Sequence, residues 1–498
     1  MEQRVIRLNR NLYLNEINQA IAKGPFHDTW DSLSRYETPT WFSKAKFGIF
    51  IHWGVFSVPA YQNEWYPRNM YIEGTLEYEH HLKTYGLHEN FGYKDFIPMF
   101  TAKKFYPKEW IELFKQSGAK YIVPVAEHHE GFQMYQSSLS HYNAYKMGPC
   151  RDILKELKLA SEDSGLYFCT SSHRAEHWWF LGYGKQFESD IKEPLTTGDF
   201  YWPSVKEQPE EDDLYAVPYP SDDFLVDWLL RCCEIVDRYN PKLFYFDWWI
   251  QHEAFKPYLR KFAAYYYNKS NKLGEQAAIC YKHDAMMFGT GIVDMERGKF
   301  ADCKPFIWQT DTATAKNSWC YTNSLDYKSS EELICYLIDV VSKNGNLLLN
   351  IGPKADGSIS ESERTLLTEI GSWLAVNGEA IYNSKVWRYY GEGPAKEVEG
   401  KFSEGNTGAY TCRDIRFTVN NGAIYAIVMK CPPDGNTLIT MLADNKDQNI
   451  PMFHGIIKQV TLLGYKGPIT WSKDTNGLLI QTTPLKNTFP IVFKITCD

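Results

Sequence analysis

An aspartate at the end of an apolar segment is the most informative chemical feature of this chain. Residues 243–246 read Leu-Phe-Tyr-Phe, and Asp247 follows them, flanked by Trp248 and Trp249. Buried parallel strands are nearly continuous in apolar residues, and their C-terminal ends face the mouth of an α/β barrel. A carboxylate there, beside rings that fit the apolar face of a pyranose, could attack or stabilise an anomeric carbon. The alternative role for Asp247 is to cap the following turn.

Three further segments place polar and aromatic residues at the ends of predicted strands. They are residues 51–54 (Ile-His-Trp-Gly), 127–132 (Glu-His-His-Glu-Gly-Phe) and 172–179 (Ser-His-Arg-Ala-Glu-His-Trp-Trp). His128 and His129 could bind a metal, stabilise the fold or hydrogen-bond a ligand. Neighbouring strand residues point to opposite sides, and the chain lacks a helical His-Glu-x-x-His motif. Ligand binding is therefore favoured, and neither a metal nor an organic cofactor is expected.

The elements that position these residues alternate between short strands and amphipathic helices. Strands are predicted at 47–52, 121–126, 166–169, 243–247, 277–281, 305–308 and 347–351, with helices ending near Gly118, Gly165, Asn240 and Gly345. Such alternation favours a (β/α) barrel of the TIM type. The polar segment 182–223 is expected to form a loop over the barrel mouth, and its acidic run, 210–213, to be a solvated face.

After about residue 387 the pattern changes to alternating apolar and polar residues separated by turns. Residues 414–419, the Asn-Asn-Gly turn at 420–422 and residues 423–429 predict a hairpin. Further strands are predicted at 438–442, 456–463, 469–471, 478–481 and 491–495. We therefore divide the chain into a catalytic barrel domain over 1–386, with an N-terminal extension, and a C-terminal antiparallel β-sandwich over 387–498.

Composition excludes several classes of function. The net charge of -8, with charges of both signs interspersed, does not provide the basic surface that nucleic acids require. No segment reaches the eighteen or so apolar residues of a membrane span, and the N-terminus lacks the apolar core of a signal peptide. Eleven cysteines without a Cys-x-x-Cys pair indicate neither a disulfide framework nor a zinc knuckle. A cytoplasmic location is therefore expected, and a homo-oligomer is left open.

Several ordered motifs resemble those of the retaining α-L-fucosidases of glycoside hydrolase family 29. They are Ala-Lys-Phe-Gly-Ile-Phe-Ile-His-Trp-Gly at 45–54, Glu-Trp-Tyr at 64–66, His-His-Glu-Gly-Phe at 128–132, Phe-Asp at 246–247 and Ser-Lys-Asn-Gly-Asn-Leu-Leu-Leu-Asn-Ile-Gly-Pro at 342–353. The resemblance spans residues 41–382, and the C-terminal sandwich is similar to that family's second domain. It implies a (β/α) barrel enzyme that acts on a fucosylated oligosaccharide or glycoconjugate.

The resemblance also implies roles for individual residues. Asp247 matches the family's nucleophile, and Tyr245 matches an aromatic residue two positions before it. The positions that match those binding the hydroxyls of fucose are His52, Glu64, Trp65, His128 and His129. Because unpaired hydroxyls are costly, such contacts would select one sugar epimer.

The general acid/base is not marked by the motif that some members carry. Their Pro-Trp-Glu type segment reads Phe-Ile-Trp-Gln at 306–309 here, and Gln309 cannot carry a proton. Our candidate is therefore Glu296, with Asp294 as the second choice. The alternative role for Glu296 is a structural pair with Arg297.

Three other departures concern the sugar pocket. Many members have a sugar-binding arginine in the region where this chain has Lys282 and His283. Either residue could replace it, and we assign Lys282 to substrate binding. Trp248 and Trp249 replace small residues and are expected to narrow the leaving-group side; the alternative is that they only pack the barrel rim. The 172–179 loop offers His173, Glu176 and His177, of which we select His177 as a sugar ligand. The alternative is that these three only shape the loop.

The sequence therefore predicts an exo-acting, retaining α-L-fucosidase that uses double displacement. Asp247 would form a fucosyl ester, while Glu296 would protonate the leaving oxygen and then activate water. Two alternatives stay open. Gln309 is compatible with a fucose-binding protein that has lost catalysis and uses the sandwich as a lectin module, and galactose shares enough hydroxyls to be the sugar of a related glycosidase.

Overall fold

The parallel strands close into an eight-position barrel. The structure is a computed structural model that describes residues 2–206, 214–396, 398–405, 408–444 and 452–498. The strands are β1 (Phe47–Ile51), β2 (Tyr121–Glu127), β3 (Tyr167–Phe168), β4 (Thr170–Ser172), β5 (Leu243–Phe246), β6 (Ala278–Tyr281), β7 (Ile292–Glu296), β8 (Trp308–Ala313) and β9 (Gly345–Ile351). Segments β3 and β4 together form the third position. Strand β1 pairs in parallel with both β2 and β9, which closes the barrel.

Helices surround these strands. They are α1 (Glu2–Lys23), α2 (Trp30–Leu33), α3 (Thr40–Ala45), α4 (Tyr66–Asn69), α5 (Leu76–Tyr85), α6 (Pro107–Gln116), α7 (Ile153–Ser164), α8 (His177–Phe180), α9 (Asp222–Tyr239), α10 (Lys256–Lys272), α11 (Ser330–Ser342) and α12 (Glu361–Asn377). The four helices predicted from the sequence correspond to α6, α7, α9 and α11. Ser221 caps α9 by accepting from the Phe224 amide. Gly165 ends α7 at φ +76°, a left-handed conformation that glycine adopts without strain.

Two antiparallel sheets form the C-terminal β-sandwich. The strands are β10 (Lys385–Glu392), β11 (Ile415–Asn420), β12 (Ala423–Val428), β13 (Asn436–Ile439), β14 (Ile457–Leu462), β15 (Thr470–Lys473), β16 (Leu478–Gln481) and β17 (Ile491–Cys497). Their orders are β10-β11-β12-β17-β14 and β13-β16-β15. Between the sheets lies a separate apolar core that includes Phe417, Val428, Ile480 and Phe493.

A buried charge cluster ties the barrel to the sandwich. Asp339 on α11 contacts Arg416 on β11 at 2.6 Å, Lys343 at 2.7 Å and Lys299 at 3.0 Å. Burial disfavours the charged carboxylate, but these three cations outweigh it and hold the pKa of Asp339 far below its usual range. The cluster therefore joins the two units through a buried anion that is fully paired.

The main chain also crosses from the sandwich side to the barrel mouth. The amide of Phe402 donates to the Glu296 carbonyl at 2.9 Å, and the amide of Glu404 donates to the Arg297 carbonyl at 2.9 Å. A bridge between Lys299 and Gly400 continues this pairing. The segment 400–404 thus acts as a short antiparallel partner for the residues that follow β7.

The predicted barrel and sandwich are confirmed, with differences in particular elements. The strand predicted at 305–308 was wrong in extent, because β8 runs over Trp308–Ala313. Strands β7 and β10 and helices α1 to α5, α8, α10 and α12 were not predicted. In its described part, segment 182–223 packs on the barrel mouth, where the Trp202 and Pro218 carbonyls contact His177 and Trp178. The acidic run 210–213 lies outside the described residues.

Among the described helices, none combines the length and apolar character that crossing a bilayer requires. The eleven cysteines are unpaired.

Candidate active site

A narrow cavity opens at the C-terminal ends of the barrel strands and gathers almost every residue selected from the sequence. It is lined by Phe50, His52, Glu64, Trp65, His128, His129, His173, Tyr245, Asp247, Trp248, Lys282, Glu296, Asp311 and Trp319. Nearly every barrel strand contributes a side chain at or just beyond its C-terminal end. The location is the one at which α/β barrels carry out chemistry.

Asp247, directly after β5, is surrounded by nitrogen donors. One oxygen, Oδ2, lies 2.9 Å from His173 Nδ1 and 3.1 Å from His129 Nε2, and the other, Oδ1, lies 3.1 Å from Lys282 Nζ. Burial alone would raise the pKa of Asp247. The charge of Lys282 and the two imidazole contacts outweigh burial and hold that pKa well below its ordinary value. Asp247 is therefore ionised at neutral pH.

His129 bridges two carboxylates. Its Nε2 faces Asp247, while its Nδ1 lies 2.9 Å from Glu176 Oε2. Burial opposes protonation, but Glu176 and Asp247 together raise the pKa of His129 to about 10. His129 is thus an imidazolium that places positive charge beside Asp247, and Glu176 stabilises this charge from the other side of the ring.

Three other histidines are neutral and line the same wall. Burial lowers the pKa of His52, His128 and His173, and the neighbouring histidines add to this effect. His52 Nδ1 donates to Asn350 Oδ1 at 2.6 Å, which leaves Nε2 available as an acceptor. His128 stacks on His129 with ring centroids 4.1 Å apart. Neutral imidazoles of this kind can donate to or accept from sugar hydroxyls.

The same histidines also have spacing that a metal could use. Ligand atoms of His52, His128 and His173 lie within 4.8 Å of one another, as do those of His129, His173 and Asp247. In the second group, the two imidazole nitrogens already hydrogen-bond Asp247 Oδ2. The first group consists of neutral imidazoles, which suit a metal and a hydroxyl alike.

Glu64 and Trp65 enter the cavity from the loop after β1. Glu64 Oε2 accepts from the Trp319 amide at 2.9 Å and from Ser318 Oγ at 3.3 Å. The Trp65 ring stands edge-on to His129, with centroids 5.5 Å apart. These contacts fix a carboxylate and an aromatic ring beside the histidine wall.

Glu296 is the last residue of β7 and faces Asp247 across the cavity. Its Oε2 accepts from Trp248 Nε1 at 2.6 Å and also contacts Lys282 Nζ. Burial raises the pKa of Glu296 to about 7; Lys282 opposes this effect, whereas Asp311 and Asp247 add to it. The site therefore contains one carboxylate held ionised and a second that exchanges a proton near neutral pH.

Lys282, at the end of β6, joins both carboxylates. Its Nζ contacts Asp247 and Glu296 and lies 3.8 Å from Asp311 Oδ2. These carboxylates outweigh burial and raise the pKa of Lys282 well above its usual value. Asp311 also accepts a hydrogen bond of 2.8 Å from Tyr245 Oη.

The two tryptophans that follow Asp247 have different surroundings. Trp248 lines the cavity, and its ring lies parallel to Phe402 with centroids 5.9 Å apart. Trp249 adopts φ +74°, which is strained for a bulky residue. Its ring packs against Trp178 and Trp179 at 5.1 and 5.5 Å. Trp249 thus anchors the turn, and Trp248 covers the cavity.

The sequence analysis selected His177 as a sugar ligand, but His177 does not line the cavity. Its Nδ1 lies 2.8 Å from the His129 carbonyl and its Nε2 lies 3.0 Å from the Trp202 carbonyl. The first turn of α8 directs the ring away from the sugar pocket. His177 therefore holds the backbone of His129, while His173 from the same loop reaches Asp247.

The second choice for the acid lies deeper in the barrel. Asp294 Oδ2 accepts from Gln309 Nε2 at 2.8 Å, and Gln309 Oε1 accepts from Tyr121 Oη at 2.9 Å. Asp294 is one inward-facing position below Glu296 on β7. Gln309 is buried with it, below the cavity, and does not line the cavity.

Sequence reasoning missed Asp311 and Trp319 as lining residues. A strand ending at residue 308 placed Asp311 outside the barrel wall, whereas the alternation of Gln309, Asp311 and Ala313 in β8 faces inward. That alternation was the available signal. Trp319 lies in the loop after β8 and carries no comparable sequence signal.

Comparisons with known proteins agree with this geometry. The Alpha-L-fucosidase family profile matches residues 13–379, and the Alpha-L-fucosidase C-terminal domain profile matches residues 410–496. Plasma alpha-L-fucosidase of Homo sapiens is 32% identical over 483 residues, covering 92% of this chain and 89% of that protein. Tissue alpha-L-fucosidase of Rattus norvegicus is 32% identical over 496 residues, covering 95% of this chain and 92% of that protein.

Solved structures give the same result. The crystal structure of Thermotoga maritima alpha-fucosidase superposes with a TM-score of 0.72 at 28% identity, covering 95% of this chain and 100% of that one. A crystal structure of the Thermotoga maritima enzyme in complex with fucose superposes with a TM-score of 0.71, with the same identity and coverage.

Proposed function

Because the chain belongs to the α-L-fucosidase family and is therefore a glycoside hydrolase, we propose that it removes terminal α-L-fucosyl residues from glycans by double displacement. Asp247 attacks the anomeric carbon and forms a fucosyl ester. Glu296 protonates the departing oxygen and then removes a proton from the water that hydrolyses the ester. The observation that carries this proposal is the pairing of an ionised and a protonatable carboxylate across one cavity.

Retention is supported by the contacts of Lys282. Its Nζ lies 3.1 Å from Asp247 and forms a short contact with Glu296, so the two carboxylate oxygens cannot be farther apart than these two contacts combined. Retaining glycosidases separate their carboxyl groups by about 5–5.5 Å, and inverting ones by about 6.5–9.5 Å. The spacing leaves little room for an inverting water.

The pKa values of the two carboxyl groups support Asp247 as the nucleophile and Glu296 as the general acid. A nucleophile must be ionised, and the pKa of Asp247 lies well below its usual value. A general acid works best with a pKa near the working pH, and the pKa of Glu296 is about 7. Asp294, bonded to Gln309 below the cavity, is poorly placed to reach a leaving group.

The histidines of the cavity wall, together with Glu64, provide the groups that recognise the sugar. We assign His52, His128 and Glu64 to the fucose hydroxyls, since each presents a donor or acceptor to the cavity. His173 and the imidazolium of His129 orient Asp247 and can reach a neighbouring hydroxyl. The surrounding strands close the cavity on its sides, which suits a terminal sugar that enters end-on.

The direct test is replacement of the nucleophile. Asp247→Ala should reduce turnover of 4-nitrophenyl α-L-fucoside by on the order of 10⁴-fold or more, because the covalent step is lost. Asp163→Ala, at an exposed position of α7, is the control and should retain the parent rate. Near-parental turnover by Asp247→Ala would overturn the assignment.

The stereochemical course provides a second test. Proton NMR of the first-formed fucose should show the α anomer in the parent enzyme. Mass spectrometry after treatment with a 2-deoxy-2-fluoro-fucosyl fluoride should place the label on Asp247. Initial formation of the β anomer would rule out double displacement.

A further inference from the structure

A second and larger cavity lies beside the catalytic one. It has a volume of about 700 Å³ and runs between the outer face of β8, the start of α11 and the segment that enters the sandwich. Its walls include Arg297, Thr312, Tyr336, Phe402 and Tyr410. A pocket of this size accommodates a ligand larger than one monosaccharide.

This cavity begins on the side of Glu296. Arg297 directly follows Glu296, and the amide of Phe402 donates to the Glu296 carbonyl at 2.9 Å. Phe402 lines the large cavity, while its ring lies parallel to Trp248, which lines the catalytic one. The two cavities therefore meet at the Trp248–Phe402 pair, which lies beside the candidate acid.

The position determines which part of a substrate could occupy the large cavity. A general acid protonates the oxygen that leaves, so the leaving group must lie on the acid's side of the anomeric carbon. Phe402 is 51% exposed despite its size, so its face is open to a ligand. Exposed aromatic faces suit the apolar faces of sugar rings.

The cavity carries charged side chains of both signs, several of which are paired: five are cationic (Arg297, Lys299, Lys316, Lys328 and Lys430) and three are anionic (Glu331, Glu332 and Glu404). Glu404 contacts Lys328 and lies 3.5 Å from Arg297. Lys299 contacts Asp339 at 3.0 Å, outside the cavity. The lining thus combines aromatic rings and hydroxyls with charged groups of both signs, which suits the rings and hydroxyls of an oligosaccharide.

We propose that this cavity binds the reducing-side sugars of a fucosylated oligosaccharide, across the Trp248–Phe402 pair. The inference rests on the proposed function, because it takes Glu296 as the acid. If the large cavity binds these sugars, the enzyme prefers fucose that is carried on an extended oligosaccharide over fucose on a short one. The sugar next to the fucose contacts the Trp248–Phe402 pair, and the following sugars lie along Tyr410.

The test compares substrates of increasing length. The parent enzyme is assayed with 4-nitrophenyl α-L-fucoside and with neutral glycans in which one fucosyl linkage is carried on one, two, three or four further sugars. We expect kcat/KM to rise by about tenfold from the shortest glycan to the longest, as one or two ring contacts would provide. No dependence on length would overturn the proposal.

A matched pair of tryptophan variants locates the effect. Gly408→Trp obstructs the cavity without strain, since Gly408 is not in the left-handed region and a Cβ there meets open space. The ratio of kcat/KM for the longest glycan to that for the aryl fucoside should fall about tenfold. Leu273→Trp, at an exposed position after α10, should leave this ratio unchanged.

Ala409→Trp serves as a second obstruction and guards against misfolding of the first variant. An unchanged ratio in both obstructed variants would overturn the proposal. Failure of the proposed function gives a different result, because the parent would then cleave neither the aryl fucoside nor any glycan. An active parent that is indifferent to chain length contradicts only the extended site.

Discussion

The two walls of the catalytic cavity differ in how they treat a carboxylate. On the wall built from β2, β4 and β5, two imidazoles contact Asp247, and Lys282 reaches it from the end of β6; together they keep Asp247 ionised. On the wall built from β6, β7 and β8, Glu296 shares that lysine and receives one indole N–H. The comparison shows that two carboxylates in one cavity acquire opposite pKa shifts from the number and charge of their neighbours.

The physical origin of this difference is the balance between burial and charge. Burial disfavours the ionised form of both groups. At Asp247 the neighbouring cations outweigh burial and lower the pKa. At Glu296, burial and the negative charges of Asp311 and Asp247 outweigh Lys282 and raise the pKa. Because Glu296 has a pKa of about 7, kcat/KM should decline tenfold per pH unit above this value, since the acid must be protonated.

Replacing the acid is the strongest test of the acid-side wall. Glu296→Ala should slow the hydrolysis of natural glycans by about 10²- to 10⁴-fold, because their leaving oxygens need a proton. The loss should be much smaller with 2,4-dinitrophenyl α-L-fucoside, whose leaving group departs unprotonated. Parallel measurement of kcat/KM on both substrates checks this expectation.

Azide provides the control for that variant. A small anion can attack the fucosyl ester without a general base, so azide should accelerate Glu296→Ala and give fucosyl azide. Asp294→Asn, below the cavity, should show no azide rescue. If Asp294→Asn were rescued while Glu296→Ala resembled the parent, the two roles would have to be exchanged.

Lys282 joins the two walls, and its removal should affect both. Lys282→Met should lower kcat/KM by about 10²-fold, because a buried charge-assisted contact to each carboxylate is lost. It should also raise the pKa of both carboxyl groups, so that both limbs of the pH profile move to higher pH. The pH dependence of kcat/KM between pH 4 and 9 provides the measurement.

The conservative variant separates charge from packing. Lys282→Arg keeps the cation and should recover most of the activity and the parent pH limbs. A pH profile that is unchanged in Lys282→Met would contradict the role of this lysine, whatever its effect on rate.

The two walls also differed in how far the sequence could predict them. The histidines that line the cavity lie in contiguous motifs, such as residues 128–132. His52, His128 and His129 could therefore be selected from local pattern and resemblance. The wall that carries Glu296 depends on pairing between distant segments. Asp311 was missed because the strand that contains it was predicted to end at residue 308. Phe402, which bonds the Glu296 carbonyl, lies more than a hundred residues away along the chain.

His177 and His173 illustrate the same limit at the level of one loop. Both histidines lie within 172–179, and sequence alone could not determine which would face the cavity. The short α8 begins at His177 and turns its ring toward backbone carbonyls, whereas His173, immediately after β4, reaches Asp247. Strand and helix alternation predicted the barrel because it is periodic, but it does not specify the direction of a loop side chain.

Trp248 should produce the smallest change, a shift in the pH profile. Its indole N–H donates to Glu296 at 2.6 Å and therefore stabilises the ionised carboxylate. Trp248→Phe keeps an aromatic ring but removes the donor, so the pKa of Glu296 should rise. The alkaline limb of kcat/KM should then move upward by about half to one pH unit, which titration of the rate between pH 6 and 9 would detect.

Trp179→Phe is the matched control, because that ring packs against Trp249. It should leave the alkaline limb in place. A downward shift in Trp248→Phe would mean that the indole favours the protonated form of Glu296, and the acid wall would then owe its neutral pKa to Trp248 rather than to burial. An upward shift confined to Trp248→Phe would instead establish that the indole opposes burial, and that the acid remains protonatable despite two donors.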